Sequence, residues 1–399
     1  MSNLTTTKIK SNKFDIIQDR MYCIKEILNG NNLNPLLELD NNETEAFINN
    51  TNDIDIRNVL DKKVLDFSEV INKIGSKLVY VKSGTTGHTF RGFNPENPQG
   101  INYAVKVVAY PKRENYGDIN DVRRPENAEL MMLKLLSYFV INNQTPHLIL
   151  PIGTFNTTIK PFLGLPKNGL VENKKYNDFI KRYKKGELHN EVSVLISEWA
   201  NGGDLLEYIR KNYKTMTLKI WRVILFQIIS TLAVIQEKYP SFKHHDLKAN
   251  NILIQNINGK NKNNMFKYKI NGKTYLVPNI NFQIKLWDFD FACIKDLVDN
   301  AKVNAEWTDK INVTNNQNRY YDLHYFINTL TRKGFLPDFF DYPEISKSVK
   351  DFFKRIVPKK YRNGPNVADR GRLKVTDEYV VPDEILKYDP FFERFRPKK

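Results

Sequence analysis

The ten residues His244-His245-Asp246-Leu247-Lys248-Ala249-Asn250-Asn251-Ile252-Leu253 place three chemically useful side chains on one tight loop before a short apolar run. Asp246 can accept a hydroxyl proton, Lys248 can neutralise a transferring phosphoryl group, and Asn251 can offer an amide oxygen to a hard cation. Further on, Lys285-Leu286-Trp287-Asp288-Phe289-Asp290 puts a carboxylate at a strand end. Mg²⁺ usually takes one or two carboxylates plus substrate phosphates, which suits Asp288 with Asn251. Either segment alone reads as an ordinary polar loop. Together, in this order, they point to one site that handles a metal-bound triphosphate.

The elements that must position these residues change character along the chain. Residues 1–70 are polar and Asn-rich, and read as short helices and loops without chemistry. Leu78–Val81 and Tyr103–Val108 read as strands on either side of a glycine-bearing turn, Ser83–Gly92. Pro125 then opens a helix with Leu130, Leu133, Leu136 and Val140 on one face. Leu148–Ile152 and Val192–Glu198 read as further strands. After Gly202-Gly203 the pattern is mostly helical (Leu205–Lys211, Leu218–Glu237), broken by strand-like Asn251–Gln255, Tyr275–Val277 and Gln283–Trp287, and helical again from Tyr320. Lys160–Asn190 and Asn256–Asn281 read as insertions, the second with hairpin signals at Asn258-Gly259 and Asn271-Gly272.

The catalytic segment, the strand Tyr103-Ala104-Val105-Lys106 and the Asp288-Phe289-Asp290 loop together resemble the protein-kinase family, whose corresponding motifs are H-R-D-L-K-x-x-N, V-A-I-K and D-F-G. The resemblance covers about residues 75–395. It implies an α+β, two-lobed fold: a small antiparallel-sheet N-lobe with one main helix (71–198) and a larger, mostly helical C-lobe (199–399), behind an N-terminal extension (1–70). It implies ATP and Mg²⁺, with Asp246 as catalytic base, Lys248 offsetting charge on the transferred group, and Asn251 and Asp288 on the metal. Lys106 would bind the α/β-phosphates and pair with Glu129, Glu126 being the second choice one turn earlier. Gly84 and Gly87, flanked by Val81 and Thr89, stand where the family has its glycine-rich loop, with Lys82 in place of its first glycine. The run Val194–Leu205 looks like the hinge: the Glu198 carbonyl and Ala200 amide would meet adenine with Ser197 behind it, and Asp204 would reach the ribose or simply cap the helix that follows. Asp322 would brace the catalytic loop. Pro390-Phe391-Phe392 resembles the end of such kinases.

Three departures are visible. His245 replaces the arginine that holds a phosphorylated activation segment in many members, which implies activity without that switch. Asp290 replaces the glycine of the magnesium loop. No A-P-E lies between Asp288 and Asp322. Lys248 looks like Ser/Thr rather than Tyr kinases, so the expected reaction is transfer of the ATP γ-phosphoryl group to protein Ser or Thr hydroxyls. A small-molecule kinase of the choline or aminoglycoside type and a non-catalytic kinase-shaped binding module are the alternatives.

Bulk properties agree. The 399 residues are 41% hydrophobic, with 24 Phe and 20 Tyr, enough to bury a large core. Two cysteines, Cys23 and Cys293, cannot build a disulfide framework, which implies a reducing, cytoplasmic setting (host cytoplasm or virion, if viral). The longest apolar run, Val223–Ile235, is shorter than the roughly 20 residues that span a bilayer and reads as a buried helix of a soluble protein. The net charge of +16 is spread in small clusters such as Lys181–Lys185. That favours a solvated basic surface over a nucleic-acid binder. The Asn-rich composition resembles that of large DNA viruses or AT-rich protists.

Overall fold

The computed structural model describes residues 17–39, 53–75, 77–84, 86–96, 101–166, 169–257 and 265–397. In chain order the strands are β1 (Lys77–Ser83), β2 (Gly87–Phe93), β3 (Asn102–Pro111), β4 (Pro151–Thr158), β5 (Leu188–Glu198), β6 (Ile252–Asn256), β7 (Met265–Ile270), β8 (Lys273–Pro278) and β9 (Phe282–Leu286). The helices are α1 (Ile17–Leu28), α2 (Ile56–Leu60), α3 (Phe67–Lys73), α4 (Pro125–Ile141), α5 (Lys160–Leu163), α6 (Lys174–Lys184), α7 (Leu205–Asn212), α8 (Leu218–Lys238), α9 (Glu306–Asp309), α10 (Tyr321–Leu330), α11 (Lys347–Ile356) and α12 (Pro382–Tyr388). They form two compact units. One gathers the described residues of 1–41, 60–112 and 151–199; the other gathers those of 42–59, 113–150 and 200–399. A sheet-based unit and a helix-rich unit make the α+β, two-lobed architecture that the resemblance implies. Residues 113–150, with α4, cluster with the helical unit.

The first unit is built on an antiparallel sheet in the order β1-β2-β3-β5-β4. The β-branched and aromatic residues of β3 suit a central strand, and Tyr103, Val105, Val107 and Ala109 are buried. The turn before β2 is tighter than Ser83–Gly92: the Gly84 amide donates to the Gly87 carbonyl at 2.8 Å, and pairing with β3 begins at Gly87 itself. A Cβ on Gly87 would lie 1.8 Å from the Val107 carbonyl oxygen, so this glycine permits close approach of two strands. The segment Lys160–Asn190 carries α5 and α6, whose Phe162, Tyr176 and Phe179 pack against His88 of β2. Residues 17–39 and 60–75, before β1, join the same unit: the Leu36 amide donates to the Ile152 carbonyl of β4, and Lys62 is buried against Tyr110 and Ser193. The fourth strand is Pro151–Thr158, where the apolar run suggested Leu148–Ile152. Polar Thr154 and Asn156 enter it because their side chains find partners in the Val194 carbonyl and the Tyr110 hydroxyl.

Burial lowers the His88 pKa to about 4. Its ring stays neutral in the fold but titrates near 6.5 when unfolded. The unfolded chain therefore binds the extra proton first, and stability falls as pH drops from about 6.5 towards 4. We expect the loss between pH 7 and pH 5 to shrink by about 2 kcal/mol in His88→Phe, measured by urea unfolding at both pH values. An unchanged difference would mean that the ring is already protonated in the fold.

The second unit is organised around α8, a helix long and apolar enough to cross a membrane by composition, yet buried over most of its length within this unit. Phe226 of α8 meets Tyr268 and Tyr275 of the β7–β8 hairpin and Phe392 and Phe395 near the C-terminus. The hairpin turns at Asn271-Gly272, with φ of +44° and +76°, as that pair of residues predicts. Asn258-Gly259 lies outside the described residues. The end of the chain is less helical than its pattern suggests: α10, α11 and α12 are separated by long irregular stretches, 331–346 and 357–381, rich in turns. β6 and β9 pair antiparallel with Ile252 opposite Leu286. That register sets Asn251 and Trp287, which border the two chemistry-bearing segments, side by side.

Candidate active site

In the helical unit the loop Lys243–Asn251 is held from below by Asp322, at the start of α10. Its carboxylate accepts from the His244 amide at 2.7 Å and the His245 amide at 2.9 Å. Burial raises the Asp322 pKa, against the pull of these contacts. Leu247 and Ala249 are buried and anchor the loop, leaving Asp246 and Lys248 half-buried at its rim. Asp246 and Lys248 form an ion pair of 2.8 Å. The Asn251 side-chain amide donates at 3.0 Å both to the Asp246 carbonyl and to its carboxylate. Three residues chosen from their types are thus one hydrogen-bonded cluster.

The second segment is tied to the first. The Trp287 amide donates to the Asn251 carbonyl at 3.3 Å, and His244 Nε2 meets the Trp287 carbonyl at 3.0 Å. Asp288 follows with φ of +68°, a left-handed conformation that Asp and Asn tolerate better than most residues. Phe289 is buried under His244, with ring centroids 4.9 Å apart. Asp290 is engaged by Lys302 at 2.5 Å. Burial opposes the charge of Lys302, yet Asp290 holds its pKa above the usual lysine value, with smaller help from Asp288. Asp290 therefore brings its own countercharge to the position where the resembled family carries glycine.

His245 is buried with φ of +60°. Its Nδ1 lies 3.0 Å from the Phe291 carbonyl and its Nε2 2.8 Å from that of Thr314. Burial, aided by the Lys243 charge, holds its pKa well below 6.5 although both carbonyls favour the protonated ring. A ring with a carbonyl oxygen at each nitrogen thus bridges the segment that follows Asp288 and the stretch around Thr314. On α4, Glu126 is buried and engaged by Arg124 at 3.3 Å; Glu129 is buried one turn further along. Asp204 caps α7 by accepting from the Glu207 amide at 2.9 Å. The Gly202 amide donates to the Ile254 carbonyl of β6 at 2.7 Å, the Gly203 carbonyl accepts from the Ile254 amide at 2.9 Å, and a Cβ added to Gly202 would sit 2.5 Å from Ile254. Ala200 is buried at the start of this unit.

In the sheet unit, Lys106 pairs with Thr89 on β2 and Leu195 on β5, so these residues share one face of the sheet. Lys106 and Thr89 are half-buried, Gly87 is buried, and Val81 and Gly84 are exposed. Glu198 pairs with Tyr103, on the opposite face from Lys106. Its carboxylate is taken by Arg20 of α1 through two bonds of 2.8 and 2.7 Å.

Residues 114–382 match the family model described as poxvirus serine/threonine protein kinase. The chain belongs to this family. Over 387 residues it is 46% identical to "Putative serine/threonine-protein kinase R400" of Acanthamoeba polyphaga mimivirus, covering 95% of this chain and 80% of that protein. A second mimivirus protein, "Putative serine/threonine-protein kinase R301", is 25% identical over 339 residues, 71% of this chain and 82% of the relative. Human "Serine/threonine-protein kinase ULK1" is 29% identical over 123 residues, 31% of this chain. This poxvirus-type kinase is accordingly an ATP-dependent serine/threonine protein kinase of the divergent kind encoded by large DNA viruses.

Two arginines of the kinase escaped sequence reasoning. Arg20 lies in a stretch to which no chemistry was assigned, yet it neutralises a buried hinge-strand carboxylate. Removing one partner of a buried pair leaves an uncompensated charge. Arg20→Met should therefore cost about 3 kcal/mol and lower the melting temperature, and adding Glu198→Gln should recover part of it. Equal melting of Arg20→Met and wild type would show the pair to be idle. Arg372, in the irregular stretch before α12, donates through one terminal nitrogen to an Asp246 carboxylate oxygen at 2.9 Å. Neither arginine had a local signal, since each meets its partner more than 100 residues away in sequence.

Proposed function

We propose that Asp246 orients and deprotonates the Ser or Thr hydroxyl of a protein substrate while Lys248 offsets charge on the γ-phosphoryl group in transit. Asn251 and Asp288 are the metal-facing pair. Asn251 spends its side-chain N–H₂ on Asp246, which directs its amide oxygen elsewhere, and Asp288 adds a carboxylate from the neighbouring strand end. An oxygen-only donor pair of this kind fits Mg²⁺, which retains substrate phosphates and water as its other ligands. The ion, when bound, neutralises charge on the phosphates. Lys106, on strand β3, binds the α/β-phosphates. Val81, Gly84, Gly87 and Thr89 border the phosphates, the Glu198 carbonyl and Ala200 amide meet adenine, and Asp204 reaches the ribose while capping α7.

The observation that carries this reading is the contact set joining Asp246, Lys248 and Asn251, held next to Asp288 by the β6–β9 register. In this class positioning and electrostatics supply most of the rate. The test is incubation with γ-labelled ATP and Mg²⁺ alongside basic proteins, acidic proteins and choline-like small molecules. Label should appear on protein Ser or Thr. Label confined to small molecules or to Tyr would overturn the substrate assignment.

A further inference from the structure

Arg372 is 4% exposed and its side chain enters the helical unit beside the catalytic loop. Its Nε and one terminal nitrogen lie 3.3 and 3.2 Å from the His245 carbonyl, and that same terminal nitrogen lies 2.9 Å from Oδ1 of Asp246. The guanidinium stacks over the Tyr325 ring at 4.3 Å. The short loop that delivers it is pinned on several sides. The Ala368 amide donates to the Arg372 carbonyl at 2.7 Å, Asn328 to the Gly371 carbonyl at 3.0 Å, and Asn312 to the Leu373 carbonyl at 2.6 Å. Arg370 and Gly371 adopt φ of +62° and +89°, and a Cβ at 371 would lie 2.5 Å from Arg332. Two successive left-handed residues, one not glycine, are a conformational cost that the surrounding bonds must sustain.

We infer that Arg372 is a positioning residue for phosphoryl transfer: its guanidinium fixes one oxygen of Asp246 and the adjoining backbone carbonyl, so that the carboxylate is aimed before substrate arrives. This deepens the reading of Asp246 as base and rests on it. The carboxylate is held on both oxygens, by Arg372 on Oδ1 and by Lys248 and Asn251 on Oδ2. A planar donor group contacting a carbonyl and a carboxylate sets an angle as well as a distance, which an ammonium group cannot do equally well. The loop around Arg372 thereby supplies, from late in the chain, a brace on the catalytic loop beside His245.

The experiment compares Arg372→Lys and Arg372→Met in steady-state kinetics with the full chain. We expect kcat to fall about tenfold for Lys and about a hundredfold for Met, with KM for ATP within about twofold of wild type. Melting temperature and nucleotide binding report the fold. A kcat for Met within threefold of wild type, equal losses in the two variants, or a KM for ATP that rises in step with the loss would each overturn the inference. If the Met variant does not fold, Lys alone decides. A drop in kcat beyond threefold at unchanged KM sustains the inference, and a smaller drop overturns it. Asp246→Asn separates the two levels: if it keeps wild-type activity the base assignment fails, whereas if only the Arg372 variants keep activity the brace alone fails.

Discussion

Asp246→Asn should lower kcat for phosphoryl transfer by at least about a hundredfold while the protein still folds and binds ATP. The substitution preserves size and removes the group proposed to accept the hydroxyl proton. It also leaves Lys248, Arg372 and Asn251 facing an amide where they now meet a carboxylate. One amide oxygen can serve only part of this donor set, so we expect a modest destabilisation of about 1–2 kcal/mol beside the large kinetic loss. The loop backbone is held independently by Asp322 and by buried Leu247 and Ala249, which is why the fold should survive. Steady-state kinetics with thermal melting would check both parts. Wild-type phosphorylation by this variant would refute the role of Asp246.

Asp288→Asn should reduce kcat/KM by at least about a hundredfold and raise the Mg²⁺ concentration needed for half-maximal activity by about tenfold or more. The position suits the comparison because Asn accepts a left-handed backbone as readily as Asp, so the φ of +68° adds little strain. Asp290 is paired with Lys302 and is poorly placed to substitute for the lost charge. Titrating activity with Mg²⁺ distinguishes a metal-holding role from a purely structural one. A structural role would lower the maximal rate without moving the midpoint.

Much of this arrangement could be read from the chain because it is local. Tyr103–Lys106 looks like a strand by composition, the α4 helix announces itself through Pro125 and its leucine spacing, and the Asp246 loop lies immediately before β6. Contacts across distance left no such mark. Arg20 meets Glu198 across 178 positions and Arg372 meets Asp246 across 126, and nothing in the neighbouring residues of either arginine specifies the partner. The 160–190 segment looked like a polar insertion because its surface is charged. The few aromatics that seat it on His88 are diluted among lysines. By composition the β4 strand reads as starting at Leu148, because Leu148-Ile149-Leu150 is the most apolar stretch nearby. Leu148 in fact bridges to Leu286, and the strand proper starts at Pro151 with polar residues satisfied by side-chain bonds. His245 was legible as a replacement for arginine, but its two carbonyl partners were not.

The most direct test is spectroscopic titration of Mn²⁺·ATP, with Mn²⁺ standing in for Mg²⁺, against wild type, Asp246→Asn and Asp288→Asn. The division of labour at this site predicts that Asp246→Asn still gives the bound-metal signal at near-wild-type affinity and that Asp288→Asn weakens it by at least about tenfold. Equal metal–nucleotide binding by all three proteins would contradict it.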